Sequence, residues 1–142
     1  MRDALLDAGV LCETLETATV WSNLGALRSA VTTALSESLG GQDTPPLVLC
    51  HISHTYQTGA SLYFTIICAA KQDPIARWTI AKKAACDAIV SVGATISHHH
   101  AVGADHRPWM TDEVGELGVE VLRAVKATLD PAGILNPGKL IP

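Results

Sequence analysis

The stretch LVLCHISHTYQTGASLYFTIICAA, residues 47–70, decides the fold. Its first ten residues, 47–56, mix Val, Ile, Thr and Tyr without Pro or Gly, which predicts a strand. Gln57-Thr58-Gly59 is turn chemistry closing a tight connection, and SLYFTIICAA, 61–70, is the hairpin partner. That second run is apolar on both faces, the pattern of a central, covered strand. Upstream, VLCETLETATV (10–20) is a further Val/Thr-rich strand. Ser22 is the expected N-cap of a helix to Leu39, with Leu24, Leu27, Val31, Ala34, Leu35 and Ser38 at helical spacing and Gly40-Gly41 as its stop. QDTPP (42–46) links it to the hairpin.

Downstream, Asp73-Pro74 pairs a capping carboxylate with a Pro at the first helical position. Ile75, Trp78, Ala81, Ala85, Ile89 and Val92 form the expected inward stripe, ended by Gly93. Ala94–His99 has the length of one short strand. Thr111 opens a last helix with Asp112 and Glu113 in its first turn, and Val114, Leu117, Val121, Val125 and Leu129 as its expected buried edge. Asp130-Pro131 ends it. The order strand, helix, strand, strand, helix, strand is that of a ferredoxin-like, split β-α-β antiparallel sheet, here with an extra C-terminal helix: an α+β domain.

The 142 residues are 48% hydrophobic and 17% charged, enough for one domain with a full core. The net charge of −4 speaks against nucleic acid as a partner. No apolar run reaches the ~18 residues of a membrane span. Cys12, Cys50, Cys68 and Cys86 include no C-x-x-C pair and read as small hydrophobes of a cytoplasmic protein.

The informative residues are polar groups that interrupt otherwise buried elements. On the second strand the period of two places Val48, Cys50, Ile52, His54 and Tyr56 on one face, apolar first and polar at its end. A phenol there serves as a general acid or base beside an imidazole, or is a core tyrosine bonded to backbone. Ser97-His98-His99-His100 offers imidazoles that carry protons near pH 7 or contact an anion. A cation held by His98, His100 and His106 is the competing reading, as is a non-catalytic domain that pairs with a second copy through an exposed sheet face. Asp105-His106-Arg107 and Asn136-Pro137-Gly138-Lys139 complete the set. No glycine-rich phosphate loop occurs in the chain.

Together these motifs resemble the C-terminal part of the FAD-linked oxidase family, nearest its alkylglycerone-phosphate synthase branch. The residues that carry the resemblance are Arg2-Asp3, Glu13-Thr14-Leu15-Glu16-Thr17-Ala18 with Trp21, and Thr55-Tyr56-x-x-Gly59-Ala60. Ser97-His98-His99-His100 with Val102-Gly103, and Asp130-Pro131…Ile134-Leu135-Asn136-Pro137-Gly138-Lys139-Leu140, complete it across residues 1–142. The resemblance implies a single cap domain, shortened on its N-terminal side, that closes over FAD held by a separate FAD-binding domain in cis or in trans. It implies Tyr56, His99 and His100 as catalytic residues, and Arg2 and His98 as contacts to a small anionic or lipid-like substrate. His99, His100 and Asn136 would lie against the flavin, with no metal involved. Ala101 departs from the family, which usually has Gly after the histidines.

Overall fold

The computed structural model describes residues 2–41, 45–70 and 73–142, with Arg2 by its backbone alone. The elements follow in the order α1 (Arg2–Asp7), β1 (Val10–Val20), α2 (Leu24–Leu39), β2 (Leu47–Thr55), β3 (Gly59–Ala69), α3 (Pro74–Ser91) and α4 (Met110–Leu129). Short 3₁₀ turns at Trp21–Asn23 and Arg107–Trp109 introduce α2 and α4. The sheet is three-stranded and antiparallel, in the order β1-β3-β2. β3 is therefore central, as its two-faced apolar pattern requires.

Alternation along the strands divides the residues between two faces. Leu11 and Leu15 of β1 and Leu62, Phe64, Ile66 and Cys68 of β3 face the helices. They pack with Leu27, Val31, Leu35 and Leu39 of α2 and Ala81, Ala85, Cys86 and Ile89 of α3. This single layer is the core, and Val48 and Cys50 of β2 join its margin. Asp73 caps α3 by accepting from the Ala76 N–H at 3.0 Å, as Asp-Pro at a helix start predicts. None of the four cysteines is in a disulfide; Cys12, Cys68 and Cys86 are buried, and burial pushes the Cys86 thiol up to about 11, which leaves it inert.

Four expectations need correction. Ser22 does not cap α2: the chain first makes the Trp21–Asn23 turn, tied by the Trp21 N–H to Thr58 O at 3.1 Å, and the helix begins at Leu24. The expected strand over Ala94–His99 is a single antiparallel bridge, Ala18 to Thr95, beside β1. It cannot lengthen, because His99 (φ 55°) and Ala101 (φ 59°) adopt the left-handed conformation that a strand excludes. Ile75, in the first turn of α3, is exposed rather than inward. The apolar stripe of α4 is exposed as well: Leu117 is 74% and Leu129 75% accessible, and only Met110 and Val119 of this helix are buried. Periodicity fixes which residues share a helix face, but the cover for that face is missing among the described residues. α4 also breaks at Gly115 (φ 74°), and α1 was not anticipated. The 42–46 linker lies mostly outside the described residues. Among those described, no helix is long and apolar enough to cross a membrane.

Candidate active site

The sheet face turned away from α2 and α3 carries Glu16 opposite Tyr63 and Ala18 opposite Ser61. On β2 the register breaks: Ile52 lies opposite Leu62, but Thr55 lies opposite Ala60, so one extra residue is inserted around Ser53-His54. This bulge overturns the expectation that His54 and Tyr56 share a face with Val48 and Cys50. A one-residue slip exchanges faces, and the polar end of β2 is delivered to Glu16. Ser53 Oγ donates to Glu16 Oε1 at 2.5 Å and lies 2.6 Å from Ser61 Oγ. The His54 N–H donates to Ser61 Oγ at 3.1 Å, and His54 Nδ1 is 3.6 Å from Glu16 Oε1.

The second half of the site is the loop after the Ala18–Thr95 bridge. Thr95 N–H donates to Ala18 O at 3.0 Å and His98 N–H to Glu16 O at 3.2 Å, while Thr17 Oγ1 donates to Thr95 O at 2.6 Å. Glu113 at the start of α4 holds the same segment, accepting from Ile96 N–H at 2.8 Å and from the Thr95 hydroxyl. The left-handed turn at His99 then folds the histidines over the sheet. Tyr56 Oη and His98 Nε2 are 2.9 Å apart. On the other side of that ring, His98 Nδ1 is 3.2 Å from Glu16 Oε1. His99 packs its ring 4.1 Å from His98 and 4.5 Å from His54, centroid to centroid. His100 sets its Nε2 3.9 Å from Glu16 Oε2 and its ring edge-on to Tyr63.

Glu16 is the centre of this arrangement, with a side chain only 3% accessible. Burial raises its pKa, but hydrogen bonds from Ser53 and Ser61 and the close His98 ring outweigh that and hold the carboxyl below its ordinary value. A buried anion is thus ringed by imidazoles. Tyr56, by contrast, is half exposed, and its hydroxyl meets an imidazole rather than backbone, which removes the core-tyrosine alternative. Three hydrogen bonds fix its loop. Trp21 Nε1–H donates to both Tyr56 O and Gln57 O at 3.2 Å, and the Tyr56 N–H donates to Gly59 O at 2.8 Å. Gly59 has to be glycine: a Cβ there would lie 2.0 Å from Thr19 O of the paired strand.

Tyr56, His98, His99 and His100 therefore converge, and other candidates do not join them. His106 is buried, its Nδ1 2.8 Å from Ala101 O, and burial lowers its pKa. It braces the loop from behind, so His98, His100 and His106 are not one ligand set. The donors that do crowd together, within 4.8 Å, belong to Glu16, His54, His98 and His99. Asn136 is exposed in the C-terminal coil, lining a shallow pocket with Leu122, Val125 and Leu135 of the α4 side. Asp130 organises that coil by accepting from the Ile134 and Leu135 N–H groups at 3.0 and 2.9 Å. The Arg2 side chain lies outside the described residues. Glu16, Ser53 and Ser61 are the site residues that pattern reading passed over. A carboxylate in mid-strand between Leu15 and Thr17 was their visible signal.

Comparison with known proteins gives the family. Residues 1–140 match the family model described as FAD linked oxidases, C-terminal domain. The chain belongs to that family. This FAD linked oxidase C-terminal domain is 39% identical over 145 residues to alkyldihydroxyacetonephosphate synthase of Dictyostelium discoideum, covering 100% of this chain and 23% of the synthase. The synthase of Trypanosoma brucei brucei is 31% identical, again over 100% of this chain and 23% of its own length. An FAD-linked oxidoreductase, YgcU, of Escherichia coli K12 is 25% identical over 99% of this chain and 30% of its own length. A solved alkyldihydroxyacetonephosphate synthase structure superposes with a TM-score of 0.66 at 31% identity, covering 96% of this chain and 22% of that one. The domain thus spans less than a third of these relatives.

Proposed function

We propose that this domain forms the substrate-side wall of an FAD-dependent active site, with Tyr56 as the acid/base group and the histidines as its proton partners. The observation that carries the reading is the 2.9 Å contact between Tyr56 Oη and His98 Nε2 on the polar sheet face turned away from α2 and α3. The residues fit a flavin laid against them rather than one gripped by them. A phenol and several imidazoles are open to a planar partner, while the chain has no glycine-rich phosphate loop. When bound, the flavin supplies the redox or electrophilic chemistry. Tyr56, His99 and His100 would face its ring.

The chain's own residues would handle the proton and the substrate's charge. Tyr56 takes a proton from the substrate as phenolate, its own proton resting on His98 Nε2. His99, exposed beside His54 and His98, offers an N–H to an anionic group. Substrate enters by the open cleft that Tyr56 shares with Thr19, Asn23, Thr58 and Gly93. Roles for Arg2 at the anionic group and Asn136 near the flavin rest on family resemblance. The FAD-binding segment, in cis or in trans, is also the natural cover for the bare stripe of α4, since large exposed apolar patches mark interfaces.

The test is reconstitution with an FAD-binding domain of the same family, followed by Tyr56→Phe. Turnover is expected to fall by about 10²–10⁴-fold. Unchanged turnover removes Tyr56 from the chemistry. Two assays separate the branches: exchange of a fatty alcohol into acylated dihydroxyacetone phosphate, and oxidation of small hydroxy acids with an added electron acceptor.

A further inference from the structure

We infer that Glu16 is the positioning residue at the buried end of a relay, Tyr56–His98–Glu16, and that it selects which nitrogen of His98 carries the proton. The inference rests on the reading of Tyr56 as the acid/base group and adds the element that makes His98 able to serve it. An imidazole can accept the phenolic proton at Nε2 only if its own proton sits on Nδ1. In the opposite tautomer Nε2 is itself a donor, and Tyr56 loses its acceptor.

The surroundings of His98 decide between the two. Its Nδ1 is buried, and among the described residues it has no hydrogen-bond partner in good line. Glu16 Oε1 lies 3.2 Å from it, close but not in line. A bare nitrogen lone pair facing a carboxylate oxygen at that distance would be repulsive. An Nδ1–H there is attracted, and a small ring rotation completes the bond, as apo geometries commonly require. The carboxylate is fit for this because it stays charged. Ser53 and Ser61 satisfy it from the sheet side, and His54 and His100 add their rings at 3.6 and 3.9 Å. The backbone supports the same register: the His98 N–H donates to the carbonyl of Glu16 itself, so one residue fixes both the main chain and the ring of its partner.

The proton bookkeeping closes. Tyr56 Oη–H transfers to His98 Nε2, giving phenolate and imidazolium, while Nδ1–H remains beside Glu16. The phenolate then accepts the substrate proton, and no proton leaves the relay for Glu16. Orientation and charge, not proton transfer, are its contribution.

Nitrogen-15 NMR of the imidazoles in the 142-residue chain at pH 8, after chelator treatment, reads the tautomer without any flavin. The expected result is His98 protonated at Nδ1 with Nε2 as acceptor. Glu16→Gln keeps the shape but offers an amide N–H to Nδ1, and is expected to shift His98 toward the Nε2–H form. In the assembled enzyme it should lower kcat by about 10²–10⁴-fold with KM within about threefold. A native His98 found in the Nε2–H form, or carrying both protons at pH 8, overturns the proposal, as does a tautomer unmoved by Glu16→Gln. Should that variant not fold, the tautomer of the native chain still decides. If Tyr56→Phe leaves turnover intact while the tautomer is as expected, the functional reading fails and the positioning by Glu16 stands.

Discussion

The two faces of one sheet, built from alternate residues of the same strands, are held by different physics. On the inner face Leu15, Leu62, Phe64 and Ile66 disappear under α2 and α3, and apolar burial alone fixes them. On the outer face Glu16, Ser53, Ser61 and His54 are held by one another, each bond satisfying a group that would be costly to leave alone. The difference teaches that apolar packing and polar pairing are divided between the two faces, by alternation on β1 and β3 and by the bulge on β2. The inner set tolerates hydrophobic exchange of similar volume, whereas the outer set tolerates little change in donor or acceptor.

The strongest test of this division is Phe64→Ala. Phe64 is fully buried at the centre of the inner face, so its truncation should cost about 3–5 kcal/mol in urea unfolding. In the fraction that remains folded, the imidazole signals of the outer face should not move. A changed His98 tautomer would show that the faces are coupled. Next is Gly59→Ala, which strikes the outer face through the backbone. A methyl 2.0 Å from Thr19 O forces the hairpin end apart, at about 1–3 kcal/mol or more. Its distinguishing sign is loss of the Tyr56–His98 contact in NMR while the inner-face methyl signals persist.

The smallest effect is in acid. Burial holds His106 below its ordinary pKa, so the folded chain binds fewer protons than the unfolded one beneath pH 6.5. Its stabilising contribution is complete above that pH and drains as pH falls. Glu16, held below 4.5 when folded, adds a second loss that starts beneath that value. Unfolding free energy measured from pH 7 to pH 2 should therefore decline in two stages. His106→Gln should flatten the first and spare the second. An unaltered first stage would mean that other groups govern it.

Much of the architecture was legible in the sequence because it follows from local pattern. The unbroken Val/Thr run gave β1 its observed limits, and Asp73-Pro74 marked the start of α3 to the residue. The convergence of Tyr56 with the histidine run was legible only through family resemblance. What escaped depends on partners far along the chain. The inserted residue near Ser53-His54 is invisible to a period-of-two reading, since it is defined by what lies opposite on β3. The left-handed turn at His99 is set by the anchoring of Thr95 and Ile96 to β1 and Glu113, and nothing in three histidines announces it. The stripe of α4 shows that amphipathic spacing predicts a face to be covered without saying by what.

The irregularity on β2 carries an evolutionary corollary. Because that added position alone sends imidazole and phenol outward, the distance from Leu47 to Gly59 behaves like a counted spacer in this lineage. Losing or gaining one codon there would exchange the outward set for its neighbours and turn His54 and Tyr56 toward the helices, while β1 and β3 keep their faces. Drift in this segment should thus proceed by substitution, and length changes should accumulate elsewhere.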